Sequence, residues 1–172
     1  LAYAFDLEHA KRTASYEHLY KEWYQLIKTG KNDNLWLSSI EENMAGLGVA
    51  IAAARREQIA KLNTFIEKDP DDVFPNVHFE LDGAVEKMLD ELPALEVEDR
   101  YRELLKSQRR NILYNDGIEG VNRTDFKVYY KKKNMPAELS STGEQKSLLI
   151  SIILAQTKLM SIDRGFNPVM LL

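Results

Sequence analysis

The feature that most limits what this chain can fold into is a proline-free run that ends only at Pro70. Within it Leu37, Ile40, Met44, Leu47, Ile51 and Ala54 recur in steps of three and four, and Leu62 and Phe65 extend the apolar face. Such steps line up on one stripe of an α-helix, because about 3.6 residues complete a turn. The seam is heptad-like and predicts one helix of roughly 33 residues, on the order of 50 Å long. Gly46 and Gly48 fall inside it. Each costs about 1 kcal/mol against alanine in a helix interior, so they read as room for a neighbouring helix to approach.

Residues 7–28 form a second helical pattern, with Leu19, Trp23, Leu26 and Ile27 on one face. Gly30-Lys31-Asn32-Asp33-Asn34 reads as a tight loop, and Asp33 or Asn34 can cap the helix that follows. Two long helices joined by a short loop make an antiparallel hairpin, an arm rather than a catalytic bowl. A plain helical bundle is the bland alternative.

Downstream the period changes. Asp69-Pro70-Asp71-Asp72 ends the long helix, then Val77, Phe79 and Leu81 alternate with His78, Glu80 and Asp82 up to Gly83. Alternation predicts a half-buried strand. A short helix is expected over 84–91 and a charged one over 95–113, with Leu95, Tyr101, Leu104, Leu105 and Ile112 inward. After the Asn115-Asp116-Gly117 turn, Phe126, Val128 and Tyr130 face one way and Lys127, Tyr129 and Lys131 the other, a second strand. The run Val169–Leu172 reads as a buried strand.

Composition removes several kinds of chemistry. The 172 residues include no cysteine, which excludes a disulfide framework, a thiol nucleophile and a thiolate zinc site. His9, His18 and His78 are too scattered for a multi-histidine metal centre, and read as structural or exposed. Trp23 and Trp36 read as packing residues of the hairpin rather than ligand-stacking platforms. No apolar run reaches the roughly 18 residues of a membrane span. The start at Leu1 and the apolar finish read as a piece of something longer.

The net charge of −4 hides a polarity. Residues 67–99 hold 12 acidic and 2 basic side chains, whereas residues 100–133 hold 10 basic and 4 acidic ones. Solvated faces are the default explanation of such blocks. The alternative is that the basic block touches phosphates.

Ser140-Ser141-Thr142-Gly143-Glu144-Gln145-Lys146 is the most informative stretch. Ser141 and Glu144 have capping-box spacing, as do Thr142 and Gln145. Behind them Leu148, Ile152, Ala155 and Leu159 form one helical stripe, with Leu149, Ile153 and Met160 beside it. A helix N-terminus leaves N–H groups free and concentrates positive dipole there. Glycine lets an anion reach the backbone and serines add donors, so the segment suits phosphate. A capping box with no ligand is the ordinary alternative.

Ser141-Thr142-Gly143-Glu144-Gln145-Lys146 before an amphipathic helix, with a hydrophobic strand following, resembles the signature motif of ABC-type ATPases, in the Gly-Glu form of their SMC-like branch. The resemblance extends to Phe5-Asp6, His9-Ala10, Tyr16-Glu17, the segment Gly48–Arg55, Phe74-Pro75 before a strand ending at Gly83, Glu98-Asp99-Arg100-Tyr101, and Gly120-x-x-Arg123-x-Asp125. These occur in the order found in the RecF-like family of bacterial recombination and replication-repair proteins, and cover essentially the whole chain.

The resemblance implies an α/β (α+β) ABC-type ATPase head with a mostly helical lever-arm domain inserted, the arm containing the long hairpin. Residues 1–112 would be arm. Residues 113–172 would return to the head with the signature and the start of a Walker B strand. It implies ATP and Mg²⁺ in the intact protein, sandwiched between two heads of a homodimer. Ser141 and Gly143 would contact the partner head's γ-phosphate in trans, with Thr142, Glu144 and Lys146 near it. It also implies binding to single-stranded DNA and to single-strand/double-strand junctions, recombinase loading at gaps, a RecR-like partner, a role in the SOS response and a bacterial cytoplasmic setting without membrane attachment.

Half of that machine is not in these residues. Gly30-Lys31 is the only Gly-Lys pair; Asn32 follows it, and Gln25 stands where a phosphate loop needs its first glycine. These residues stop at Leu172, before the acidic residues that a Walker B motif would carry. The chain alone is therefore expected to bind neither ATP nor Mg²⁺ and to be inactive, with no catalytic residue and no metal ligand of its own, whereas the intact protein would be a weak ATPase. Two positions depart from the pattern. Ser140 stands where leucine is usual, and Asn122 where relatives carry a histidine, so no titrating role passes to it.

The DNA-binding candidates are Arg100, Arg102, Lys106, Arg109, Arg110, Arg123, Lys127, Lys131, Lys132 and Lys133, the last four interleaved with Phe126, Tyr129 and Tyr130. Such side chains give salt-dependent, sequence-independent affinity. Protection of a strand edge by lysines is the competing explanation. Two rivals to the whole reading are a different SMC-like ATPase, which calls for longer heptads, and a non-enzymatic helical interaction module.

Overall fold

The computed structural model describes residues 7–30, 33–68, 75–114 and 117–165. Two long helices come first, α1 (Leu7–Lys28) and α2 (Asn34–Lys68). They are followed by strand β1 (Val77–Asp82), α3 (Ala84–Glu91), α4 (Ala94–Ser107) and α5 (Arg109–Tyr114). The chain then forms β2 (Asp125–Tyr130), the two-residue β3 (Met135–Pro136) and α6 (Thr142–Arg164). The expected Val169–Leu172 strand lies outside the described residues. Among these, the fold is mostly helical with a small antiparallel sheet, an α+β arrangement. None of the described helices is long and apolar enough to cross a membrane.

Packing divides the described chain into two compact units. The first takes the residues up to Arg56 together with Asp82–Asp125; the second takes Glu57–Leu81 and the residues from Phe126 onward. The arm and head expected to meet at 112/113 thus do not coincide with the packing units. Chain order is overridden because β1 pairs with β2, so the end of α2 and β1 join a unit whose other half lies far along the chain.

In the first unit α1 and α2 form the expected antiparallel hairpin. Asp33 Oδ1 caps α2 by accepting the N–H groups of Leu35 at 2.9 Å and Trp36 at 3.3 Å. The heptad residues Leu37, Ile40, Met44 and Ile51 are buried with Tyr16, Trp23 and Ile27 of α1, and Leu47 packs against them. Val85, Val97, Tyr101, Leu105, Ile112 and Val121 complete this core. Trp23 is wholly buried and its indole N–H donates to Glu41 at 2.9 Å. Trp36 is half exposed and donates to Glu22 at 3.1 Å.

Gly48 serves the role read for it. A Cβ there would overlap Tyr101 Cε1 and lie 3.4 Å from Tyr16 Cε2, so only glycine lets α1 and α4 close in. Gly46 has open space instead. The two tyrosine hydroxyls are 2.5 Å apart, and Tyr101 Oη accepts the N–H of Val121 at 3.2 Å. Burial pushes both phenols above their ordinary pKa.

The helix expected over 95–113 is broken at Gln108. Its side-chain amide donates to the Glu119 carbonyl at 3.0 Å and accepts the Glu119 N–H at 2.6 Å. That pair fixes the returning chain, and the helix restarts as α5.

In the second unit β2 lies between β1 and β3. Tyr129 opposes Pro136 and Tyr130 opposes Met135 in an antiparallel register. Lys131 N–H donates to the Asn76 carbonyl at 3.1 Å, which sets the end of β2 beside the start of β1. Val77 and Phe79 are buried, while Phe126, Val128 and Tyr130 pack on the same cluster, as the alternation predicts. Phe79 and Phe126 stack with centroids 5.2 Å apart. Asn63 of α2 extends the ladder by donating to the Phe79 carbonyl at 2.9 Å and accepting its N–H at 3.0 Å. On α6 Leu148 and Ala155 are buried in this core, flanked by Ile152 and Leu159. The stripe beside them is exposed at Leu149 and Ile153.

Candidate functional site

The signature-like segment builds the start of α6. Ser141 is the N-cap residue, extended at φ −61° and ψ 156°. Its Oγ accepts the Glu144 N–H at 3.4 Å. Glu144 Oε2 accepts the Ser141 N–H at 3.0 Å and the Ser141 hydroxyl at 2.9 Å. This is the reciprocal capping box read from the spacing. Gln145 Nε2 ties the preceding turn down, donating to the carbonyls of Glu138 at 3.0 Å and Ser140 at 3.1 Å.

Thr142, Gly143 and Lys146 are exposed, and among the described residues nothing beyond the neighbouring helix backbone lies within 4 Å of where a Cβ on Gly143 would stand. Among the described residues the first turn of α6 is therefore uncovered where a ligand would have to approach. Ser140 is the reverse. It is buried, and its hydroxyl has no hydrogen-bond partner among the described residues.

The basic turn reaches this helix start. The strand expected to run through Lys131 ends at Tyr130, and Lys131–Lys133 form a 3₁₀ turn closed by Asn134 in the left-handed region at φ 48°. That turn brings Lys133 Nζ to 2.5 Å from Glu144 Oε1. The same ammonium lies 5.8 Å from the centroid of the Tyr130 ring. The Lys133 bond, and behind it the two bonds from Ser141, hold the Glu144 carboxyl down at about 2. Reciprocally, Glu144 raises Lys133 above the usual lysine value.

The other candidate cations are spread over both units. Lys127, Lys131, Lys132 and Lys133 belong to the second; Arg100, Arg102, Lys106, Arg109, Arg110 and Arg123 belong to the first. Lys131 bonds Glu67 at 2.9 Å, and its ammonium holds the Glu67 carboxyl below the usual range. Lys132 is exposed and Lys127 half-buried. Arg100, Lys106, Arg110 and Arg123 are exposed, and Arg102 bonds Asp99 at 2.9 Å. Arg109 is different in kind. Its Nε and Nη2 donate to the two oxygens of the buried Glu41 carboxylate at 2.6 and 2.7 Å, and Nη1 donates to Asn34 at 3.1 Å. Its fork is committed to the core of the first unit.

Lys133 and Glu144 were each legible as charged residues near phosphate chemistry, but not as a pair. Nothing in an eleven-residue spacing across two turns and a short strand announces contact. Asn122, beside Arg123, is exposed, while the backbone of the preceding Val121 is held on both sides, by Tyr101 and by Arg55, whose Nη1 donates to its carbonyl at 2.7 Å. Among the described residues no three His, Asp or Glu side chains converge as a metal cage.

No family model matches the chain. The fold is that of two solved structures of a recombination mediator protein, RecF with ATP and with ATPrS in the RecFOR pathway. Each superposes with a TM-score of 0.76 over 95% of this chain and 45% of that one, at 18% and 17% identity. A mostly helical protein with a small antiparallel sheet and a capped helix is thus of the RecF type in fold. Sequence relatives narrow this. The DNA replication and repair protein RecF of Brucella abortus (strain 2308) is 40% identical over 171 residues, 98% of this chain and 44% of that protein. RecF of Mesorhizobium japonicum is 39% identical and RecF of Rhizobium meliloti 34%, each over the full chain and 46% of the relative. The chain is RecF-like throughout, and spans about half the length of the curated relatives it matches.

Proposed function

We propose that this chain supplies the signature-bearing part, with a helical lever arm, of a RecF-like DNA repair ATPase. In this reading residues 1–112 are arm and 113–172 return to an ABC-type head. Two copies close on ATP, and the start of α6 in one faces the γ-phosphate held by the other. The helix supplies its N-terminal dipole and Gly143 leaves the backbone open, while the Ser141 hydroxyl would turn from Glu144 to the phosphate as the heads close. A triphosphate with Mg²⁺ would supply the charge and the leaving group. The residues that cage the metal would come from outside the described stretch.

The observation that carries the reading is the capped and uncovered first turn of α6, with empty space at Gly143. In the intact protein, Ser141→Arg is expected to abolish ATP-dependent dimerisation, followed by light scattering with and without ATP. Dimerisation unchanged by that substitution would favour a helical interaction module instead.

The same reading makes the Lys131–Lys133 turn a contact for DNA phosphates at single-strand/double-strand junctions, with a RecR-like partner and recombinase loading at gaps in the bacterial cytoplasm, as part of the SOS response. Lys131/Lys132/Lys133→Glu in the intact protein is expected to weaken DNA binding and flatten its salt dependence. Binding with an unaltered salt slope would remove the turn from the interface.

A further inference from the structure

A carboxylate is an odd neighbour for a helix start that is to face a triphosphate. Glu144 lies in the first turn of α6, and a bare negative charge there would repel an approaching phosphate. It would also oppose the helix dipole's attraction for that phosphate. Yet Glu144 is what holds Ser141, through the N–H and the hydroxyl. The cap and the ligand therefore place opposite demands on one side chain.

Lys133 meets both demands. Its ammonium sits 2.5 Å from Oε1, the Glu144 oxygen that Ser141 does not use. The Tyr130 ring flanks it, and the 3₁₀ turn with Asn134 aims it. A cation at that distance cancels the carboxylate's charge as felt from the open side, without removing its acceptor oxygens from Ser141. We infer that Lys133 is a positioning residue for the signature helix: it neutralises Glu144 so that a carboxylate can cap Ser141 without repelling a nucleotide's terminal phosphate. The inference rests on the phosphate-facing reading of α6, and it assigns Lys133 a task distinct from touching DNA.

The test uses the intact protein, ATP, and the ATP concentration giving half-maximal dimerisation. Lys133→Ala is expected to raise that concentration about fivefold, the scale of one exposed ion pair. Lys133→Arg keeps a cation on Oε1 and should stay within about twofold of the parent. Glu144→Gln keeps an oxygen for Ser141 and removes the charge, so Lys133→Ala in that background should recover most of the loss. If the double variant stays as weak as Lys133→Ala, the lysine touches phosphate directly and the inference falls. It also falls if Lys133→Ala has no effect while Ser141→Arg abolishes dimerisation. If Ser141→Arg is itself without effect, the phosphate-facing reading fails, and the inference with it. Thermal unfolding of each variant separates loss of fold from loss of neutralisation.

Discussion

Gly48 meets the ring of Tyr101 so closely that a methyl group at position 48 would overlap Tyr101 Cε1 and stand 3.2 Å from Cδ1. A Cβ at Gly46, two residues earlier in the same helix, would meet nothing within 4 Å beyond that helix's own backbone among the described residues. The two glycines should answer oppositely to one substitution. Gly46→Ala is expected to stabilise by about 1 kcal/mol, the helix-propensity difference. Gly48→Ala is expected to destabilise by about 1–3 kcal/mol, because α2 and Tyr101 must separate. Urea unfolding of both variants reads the signs directly; a stabilising Gly48→Ala would contradict the packing.

Arg109 is part of the basic block by sequence and part of the core by geometry. Glu41 is 1% exposed and takes both oxygens' bonds from Arg109 and one from Trp23. Removing one member of a buried pair leaves an uncompensated charge, so Arg109→Ala should cost about 3–5 kcal/mol. Arg109→Lys should recover only part, since an ammonium cannot span both oxygens. The denaturation midpoint is the readout. If Arg109→Ala unfolds like the parent but loses DNA binding, Arg109 is an interface residue after all.

The capping box has a pH window set by Glu144 and Lys133. The Glu144 carboxyl is held at about 2, below its ordinary 4.5, so its stabilising contribution is complete above 4.5 and lost as pH falls toward 2. Lys133 is raised above 10.5, so its contribution is complete below 10.5 and lost as pH climbs through the raised value. The box should therefore be intact from about pH 5 to pH 10. Carboxyl-carbon NMR should give Glu144 a midpoint near the bottom of the carboxylate range, and Lys133→Ala should move it upward. A Glu144 midpoint that ignores Lys133→Ala would break the pair.

Ser140 buries a hydroxyl that has no partner among the described residues. A buried unsatisfied polar group costs about 1–3 kcal/mol, so Ser140→Ala should raise stability by about 1 kcal/mol or more, checked by thermal unfolding. A loss of stability would mean that the hydroxyl has a partner in the intact protein.

Much of this fold is written in local pattern. The seam from Leu37 to Ala54, the alternation Val77–Asp82 and the Ser141–Glu144 spacing each state an element, because helix, strand and cap are set by residues within a few positions of one another. The break at Gln108 is not local. It depends on the Glu119 backbone, which returns beside it only after the fold has closed. The ending of β2 at Tyr130 was likewise hidden, because Lys131 continues the alternation and only the turn through Asn134 denies it.

The sequence by itself determined the long hairpin, the strands' inward faces, the capping box and the likeness to RecF proteins along the chain. Only the tertiary structure decided which charges are structural. It placed Arg109 on buried Glu41 and Lys133 on Glu144, and left Lys132 exposed. Sequence records the charge of a side chain, but its partner and its desolvation follow from which distant residues the fold brings to it.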